Sequence, residues 1–226
     1  MNEDYHAVGP DWAFVLDGAT APSDVDSGCA HDVAWLVHRL GAELAARLVV
    51  SDQPLADVLA EAIAATCAAH ADTCDLRNPS SPSSTVSILR AGDEVEYLVL
   101  ADSPIVFDSG AVVDDRLDHL PSYTQEAVRD LRNQPGGFWV ASTKPEAAHE
   151  AFQGTLRDVR RAALLSDGAS RYVEELGLGT WPDLLDLLEE EGPTELLAQV
   201  RAAEAARPEP HRSKQHDDAT AVYLSF

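Results

Sequence analysis

Short apolar runs alternate along this chain with longer stretches in which apolar residues recur every three or four positions. The runs Ala13 to Leu16, Thr85 to Arg90, Glu94 to Ala101, Ile105 to Asp108, Ala111 to Asp115, Phe138 to Ser142, Ala162 to Ser166 and Ala221 to Phe226 have the length and residue types of strands. The short connections Ala91-Gly92-Asp93 and Ser109-Gly110 predict antiparallel hairpins, so residues 85–115 read as a meander. Helical spacing links Val33, Leu36, Val37, Leu40, Leu44 and Leu48, and then Leu55, Val58, Leu59, Ala62, Ile63 and Cys67 behind Asp52 and Pro54. Further helices are predicted over 121–134, Pro145 to Phe152, and Tyr172 to Leu176, the last closed by Gly177. Thr180-x-x-Asp183, with Pro182 in the first turn, marks a capping box for a helix that stops at Gly192; another runs from Pro193–Thr194 to before Pro208. Residues 1–11 are polar and suggest no regular element, and Asn78 to Ser84 reads as a turn into a sheet. Helices, meander, helices and a final strand, with no internal repeat, favour an α+β fold of antiparallel sheets, one domain over 1–226.

Several of these runs meet an acid at one end. Trp12-Ala-Phe-Val-Leu stops on Asp17-Gly18; Tyr97 to Ala101 runs into Asp102-Ser103; Ala162 to Ser166 runs into Asp167-Gly168; and Asp217-Asp218-Ala219-Thr220 opens the closing strand. A single Asp after a strand is most often a turn residue. Repetition changes that reading. A carboxylate at the end of a buried strand is costly unless cations, donors or water receive it, so the recurrence predicts one shared carboxylate cluster. Hard divalent cations such as Mg²⁺ and Mn²⁺ take such oxygen ligands.

Composition narrows the partners. The 226 residues carry 39 acids against 16 Lys and Arg, a formal charge of −23 at pH 7. That field repels nucleic acid and anionic membranes; most of it reads as solubility, since a metal site needs only a handful of carboxylates. No apolar run reaches membrane length and no secretory-type segment is visible, so a cytoplasmic protein is expected. Cys29, Cys67 and Cys74 fall in helical-looking stretches; the Cys67–Cys74 spacing matches no common zinc pattern, and the three are expected to be buried free thiols in a reducing compartment.

Taken in order, Asn2-Glu3-Asp4, Asp17-Gly18, Ser83-Ser84-Thr85, Ala101-Asp102-Ser103, Ser166-Asp167-Gly168 and Asp217-Asp218-x-Thr220 resemble the motifs of the metal-dependent, PP2C-like (PPM) protein phosphatases. The resemblance spans the chain. It implies a four-layer α-β-β-α sandwich of two antiparallel sheets flanked by helices, with metals in a cleft between the sheet edges. It also implies hydrolysis of phosphoserine and phosphothreonine by a water bridging two Mg²⁺ or Mn²⁺ ions. Carried over by position, Asp17 matches the acid shared by both metals, Gly18 the carbonyl ligand, Glu3 the second-metal ligand, and Asp167 and Asp217 the remaining acids on the first metal. Asp4 matches the acid beside the glutamate, and Asp102 the residue that binds a third metal in some members. The chain departs from the pattern in four places. No Arg precedes Glu3–Asp4, Ala19 stands where some members carry a proton-donating His, Asp218 replaces an Asn, and Arg171 lies where a further acid often sits. Arg171 makes a third ion weak at most.

Beyond these motifs, His216 adjoins Asp217 and is a candidate to orient a ligand or act as general acid. His6, His31, His38, His70, His119 and His149 are expected mostly on the surface, and Trp12, Trp35, Trp139 and Trp181 in the core. Ser103 and Ser170 lack a nucleophile elbow. The basic loop His211-Arg212-Ser213-Lys214-Gln215-His216 runs into Asp217, so Arg212 and Lys214 are expected to grip the substrate phosphate in place of the absent Arg. The expected substrate is a phosphoprotein, with a phosphorylated metabolite or a non-catalytic, regulatory relative as the alternatives.

Overall fold

A computed structural model describes residues 2–19, 25–207 and 216–226. Strand β1 (Asp4–Val8) pairs antiparallel with β2 (Trp12–Ala19). Helices α1 (Val33–Leu48) and α2 (Leu55–Ala68) follow, the first capped by the Asp32 side chain on the Trp35 N–H. Next come β3 (Ser83–Arg90), β4 (Val95–Leu100), β5 (Ile105–Phe107), β6 (Gly110–Val112) and helix α3 (Gln125–Leu131). Strands β7 (Phe152–Leu156) and β8 (Arg161–Leu165), helices α4 (Asp167–Glu174), α5 (Trp181–Glu190) and α6 (Pro193–Ala206), and β9 (Ala221–Ser225) complete the chain.

One sheet has the order β1-β2-β3-β4-β7 and the other β6-β5-β8-β9, with every pairing antiparallel. Alternation along β2 divides its side chains between two cores. Phe14 and Leu16 point to α1 and α2, where they meet Val37, Leu40, Leu59 and Ile63. Ala13 and Val15 point the other way, against Ile105, Phe107, Leu164 and Val222 of the second sheet. On that sheet's far side Val106, Ala163 and Leu165 pack on Leu184, Leu188, Leu196 and Val200 of α5 and α6. The result is the α-β-β-α sandwich expected from the sequence.

Several local expectations are corrected. The meander is split, because β4 and β5 lie in different sheets; only β3–β4 and β5–β6 are hairpin pairs. Residues Phe138 to Ser142 form no strand. They run past the point where β4 has ended, and pair with the β3 backbone at the bridge Ser84–Ala141. The helix over 121–134 shrinks to Gln125–Leu131, opened by Thr124 as N-cap and ended where Asn133 takes a positive φ of 52°. The edge strands β1 and β7 carry exposed and polar positions that hid them from an apolar-run reading. The segment from Pro145 is a 3-10 helix that stops at Glu150, and Phe152 opens β7. Trp12 and Trp139 are buried as expected, with Trp35 and Trp181 half-buried.

Candidate active site

The cleft is built by strand register. Asp4 on β1 stands opposite Asp17 on β2, and Asp17 stands opposite Thr85 on β3, so one rung of the first sheet delivers two acids and a hydroxyl. Gly18 follows with its N–H on the Glu3 carbonyl at 3.2 Å. A Cβ there would lie 2.3 Å from Val33 Cγ1 and 2.7 Å from the Glu3 oxygen, so glycine is what lets Glu3 close on the strand.

The second sheet arrives at the same place. Strand β8 ends at Leu165, Ser166 stays extended as the N-cap position, and α4 begins at Asp167 itself, earlier than the sequence pattern suggested. An acid in the first turn is favoured by the helix dipole. Ser166 Oγ donates to Asp4 Oδ2 at 3.0 Å and accepts the Thr220 N–H at 2.8 Å, while its own N–H donates to the Thr220 carbonyl at 2.9 Å. One serine thus ties β1 to the entrance of β9. Asp167 N–H donates to Asp17 Oδ2 at 3.3 Å, and Glu3 N–H donates to Asp218 Oδ2 at 2.6 Å. Gly168 leaves no room for a side chain: a Cβ would sit 1.9 Å from the Asp218 carbonyl oxygen.

Electrostatics make the cluster costly as it stands. Burial, then the charges of Asp167, Asp4 and Asp102, push the Asp17 carboxyl well above the usual range. Burial likewise raises Asp4, against hydrogen bonds from Thr220 and Ser166, and Asp4 Oδ1 is buried without a hydrogen-bond partner. An all-oxygen donor set, an unpartnered buried carboxylate oxygen and mutually repelling acids fit a hard divalent cation. Asp102 reaches the cluster from a strained turn, Ala101 holding φ at 66°. With Asp167, Arg171 and Glu174 it lines a cavity of about 330 Å³.

Asp217 is different. Arg171, one helical turn after Asp167, is buried and places Nη2 3.3 Å from Asp217 Oδ2 and Nη1 2.9 Å from Glu204 Oε1. Arg171 therefore occupies this flank with its own positive charge. Glu204 also receives Arg201 at 2.8 Å and the Nδ1–H of His216 at 2.8 Å. Burial works to raise it, yet the hydrogen bonds from His216, Arg201 and Arg171 prevail and hold Glu204 below its ordinary value. Ser166 and Thr220 belong to the motifs Ser166-Asp167-Gly168 and Asp217-Asp218-x-Thr220, though not as expected ligands; Glu204 carries no local sequence signal. Arg212 and Lys214 lie outside the described residues. A second cavity, of about 540 Å³, gathers Arg77, Arg129, Arg132 and Lys144. Its Arg132 donates to Ser83 Oγ at 3.1 Å, and Ser83 stands opposite Ala19 at the cleft end of β2.

Two antiparallel sheets, packed face to face between helices and joined at one edge by a carboxylate cluster, define a class of phosphatase fold. The model of the family described as protein phosphatase 2C matches residues 1–204, and the chain belongs to that family. Among solved structures, PppA, "a key regulatory component of T6SS in Pseudomonas aeruginosa", is 20% identical with a TM-score of 0.59, covering 100% of this chain and 92% of that one. The serine/threonine phosphatase Stp1 from Staphylococcus aureus is 15% identical with a TM-score of 0.60, covering 100% and 89%. The PPM Ser-Thr phosphatase MsPP from Mycobacterium smegmatis, in complex with cacodylate, is also 15% identical with a TM-score of 0.60, covering 100% and 92%. No curated protein sequence matches the chain.

Proposed function

We propose that this chain is a metal-dependent phosphatase of phosphoserine and phosphothreonine. The observation that carries the reading is the rung Asp4–Asp17–Thr85 meeting Ser166–Asp167 of the opposite sheet. Glu3, Asp17, the Gly18 carbonyl, Asp167 and Asp217 would hold two Mg²⁺ or Mn²⁺ ions, with Asp102 beside them. Such ions, when bound, supply charge for the phosphoryl oxygens and acidify a water. The chain's own part is positioning. Ser166 fixes Asp4, the Asp167 N–H fixes Asp17, and the Asp218 carboxylate fixes the Glu3 backbone. His216, the residue before Asp217, donates Nδ1–H to Glu204, which leaves Nε2 of a half-exposed ring as the proposed proton donor. In this reading it delivers that proton to the departing serine or threonine oxygen.

The Arg171–Asp217 ion pair favours one rival, a family member that binds a phosphoprotein and regulates without hydrolysis. Hydrolysis of p-nitrophenyl phosphate and of a phosphothreonine peptide, each with Mn²⁺, Mg²⁺ and EDTA, separates the two. The phosphatase reading expects turnover with either ion and none in EDTA. Absence of turnover under all conditions by folded protein would leave the regulatory reading standing. Turnover of small phosphates but not peptides would point to a metabolite substrate.

A further inference from the structure

Cys29, His31 and Cys74 come together from loops remote in sequence. The first loop lies between β2 and α1; the second follows α2. The expectation that all three cysteines sit buried in helices holds only for Cys67; Cys29 and Cys74 are half-buried and non-helical. Their sulfurs are 2.8 Å apart, and His31 Nδ1 lies 3.4 Å from Cys74 Sγ and 3.9 Å from Cys29 Sγ. All three donor atoms fall within 4.8 Å of one another.

We propose that these side chains form a zinc site, which shares no residue with the carboxylate cleft and does not depend on the phosphatase reading. Zinc takes thiolate and imidazole ligands in tetrahedral array, at about 2.3 Å to sulfur and 2.0–2.1 Å to nitrogen. That geometry sets sulfur–nitrogen distances of about 3.6 Å, between the two observed, and a sulfur–sulfur distance of about 3.8 Å. The sulfurs need to part by about 1 Å. Soft donors select zinc over the magnesium and manganese suited to the carboxylates.

The surroundings are organised for an ion. The Ala30 N–H donates to Cys74 Sγ at 3.2 Å, and the His31 ring packs on Trp35 with centroids 4.1 Å apart. The loops are already joined without zinc: Asp75 N–H donates to the Gly28 carbonyl at 2.8 Å and Asn78 Nδ2 to the Asp26 carbonyl at 3.1 Å. A cavity of about 10 Å³, the size of a single water at most, is lined by Cys29, His31, Asp32 and His70. His70 is the buried member of the six histidines expected mostly on the surface, and gives Nδ1–H to the Thr66 carbonyl at 2.8 Å, so its Nε2 carries a lone pair.

The test uses the full chain, stripped with EDTA, kept reduced with a phosphine and held in millimolar Mg²⁺. Titration with Zn²⁺ against a chromophoric chelator should show one tight equivalent, and Co²⁺ should give a thiolate-to-cobalt charge-transfer band in the near ultraviolet. Cys29→Ser and Cys74→Ser should lose the band and bind at least about 100-fold more weakly. His31→Gln should weaken binding, and Asp17→Asn should leave it unchanged. The wild-type cobalt spectrum decides even if the cysteine variants fail to fold. The proposal is overturned by a reduced wild-type protein without the band, by equal zinc affinity in Cys29→Ser and wild type, or by loss of zinc in Asp17→Asn. A pair that only forms a disulfide, and takes no zinc when reduced, overturns it too.

Discussion

Asp17 is the residue on which the cleft turns, because it faces Asp4 across β1, receives the Asp167 N–H and feels the charge of Asp102. Asp17→Asn removes a charge that two cations would share, so turnover with Mn²⁺ should fall by more than about 90%. Without metal the same change relieves repulsion, and the unfolding midpoint should rise by about 2–4 °C in calorimetry. A variant with full activity would end the two-metal reading. Arg171 makes the complementary prediction. Its guanidinium lies against Asp217 and beside Asp167 in the Asp102 cavity, so crystals soaked in millimolar Mn²⁺ should show two ions and no full-occupancy third on Asp102. Strong density ligated by Asp102 would show that the arginine does not repel. Glu204 carries a pH signature. Its carboxyl is held below its ordinary value of 4.5, so its contribution to stability is present above that pH and is lost as pH falls through the folded value. Glu204→Gln should therefore flatten the acid limb of the stability curve, measured by urea midpoints from pH 6 down to about 3.

At the scale of elements, the sequence showed the buried strands and the two long helices and concealed the edges. Strand β2 is apolar because both faces of its sheet are covered; β1 is exposed on alternate residues and β7 on most of its length, and both resemble loops. The acids were legible for the same reason: a carboxylate is conspicuous at the end of an apolar run. What could not be read was the crossing from β4 to the second sheet, since a hairpin and a sheet-to-sheet turn use the same short polar residues. Nor could spacing reveal that Ser166 joins the sheets. Ser166→Ala removes a donor to Asp4 and leaves the buried Thr220 N–H without its acceptor. The loss should be about 1–3 kcal/mol, or about 2–12 °C in unfolding midpoint. Thermal melts of Ser166→Ala and Ser166→Thr check it: threonine keeps the hydroxyl and should lose less. An alanine variant as stable as wild type would mean the sheets are held by packing alone.

For the whole molecule the governing quantity is the charge of −23, which repels the phosphorylated substrates proposed here. Local positive charge must offset that field where phosphate docks. Besides Arg171, which is already paired with Asp217 and Glu204, two groups are candidates: the loop carrying Arg212 and Lys214, adjacent in sequence to Asp217, and the cavity of Arg77, Arg129, Arg132 and Lys144. The loop has the better claim to the reacting phosphate, because it leads directly into a proposed ligand, and guanidinium offers a bidentate fork. The cavity suits flanking acidic or phosphorylated residues, since its link to the cleft end of β2 runs through the Arg132–Ser83 hydrogen bond. Arg212→Ala with Lys214→Ala should raise KM for a phosphopeptide at least about tenfold, about 1.4 kcal/mol of lost binding, and leave Mn²⁺ affinity unchanged. Arg129→Ala with Lys144→Ala should raise KM for acidic phosphopeptides and spare p-nitrophenyl phosphate. Added salt should narrow the difference between wild type and either pair, because exposed charges are screened beyond about 8–10 Å. If the loop pair keeps wild-type kinetics while the cavity pair loses both substrates, the phosphate is gripped from the β3 side. If neither pair changes KM, the metals alone hold the phosphate and the basic residues serve only the fold.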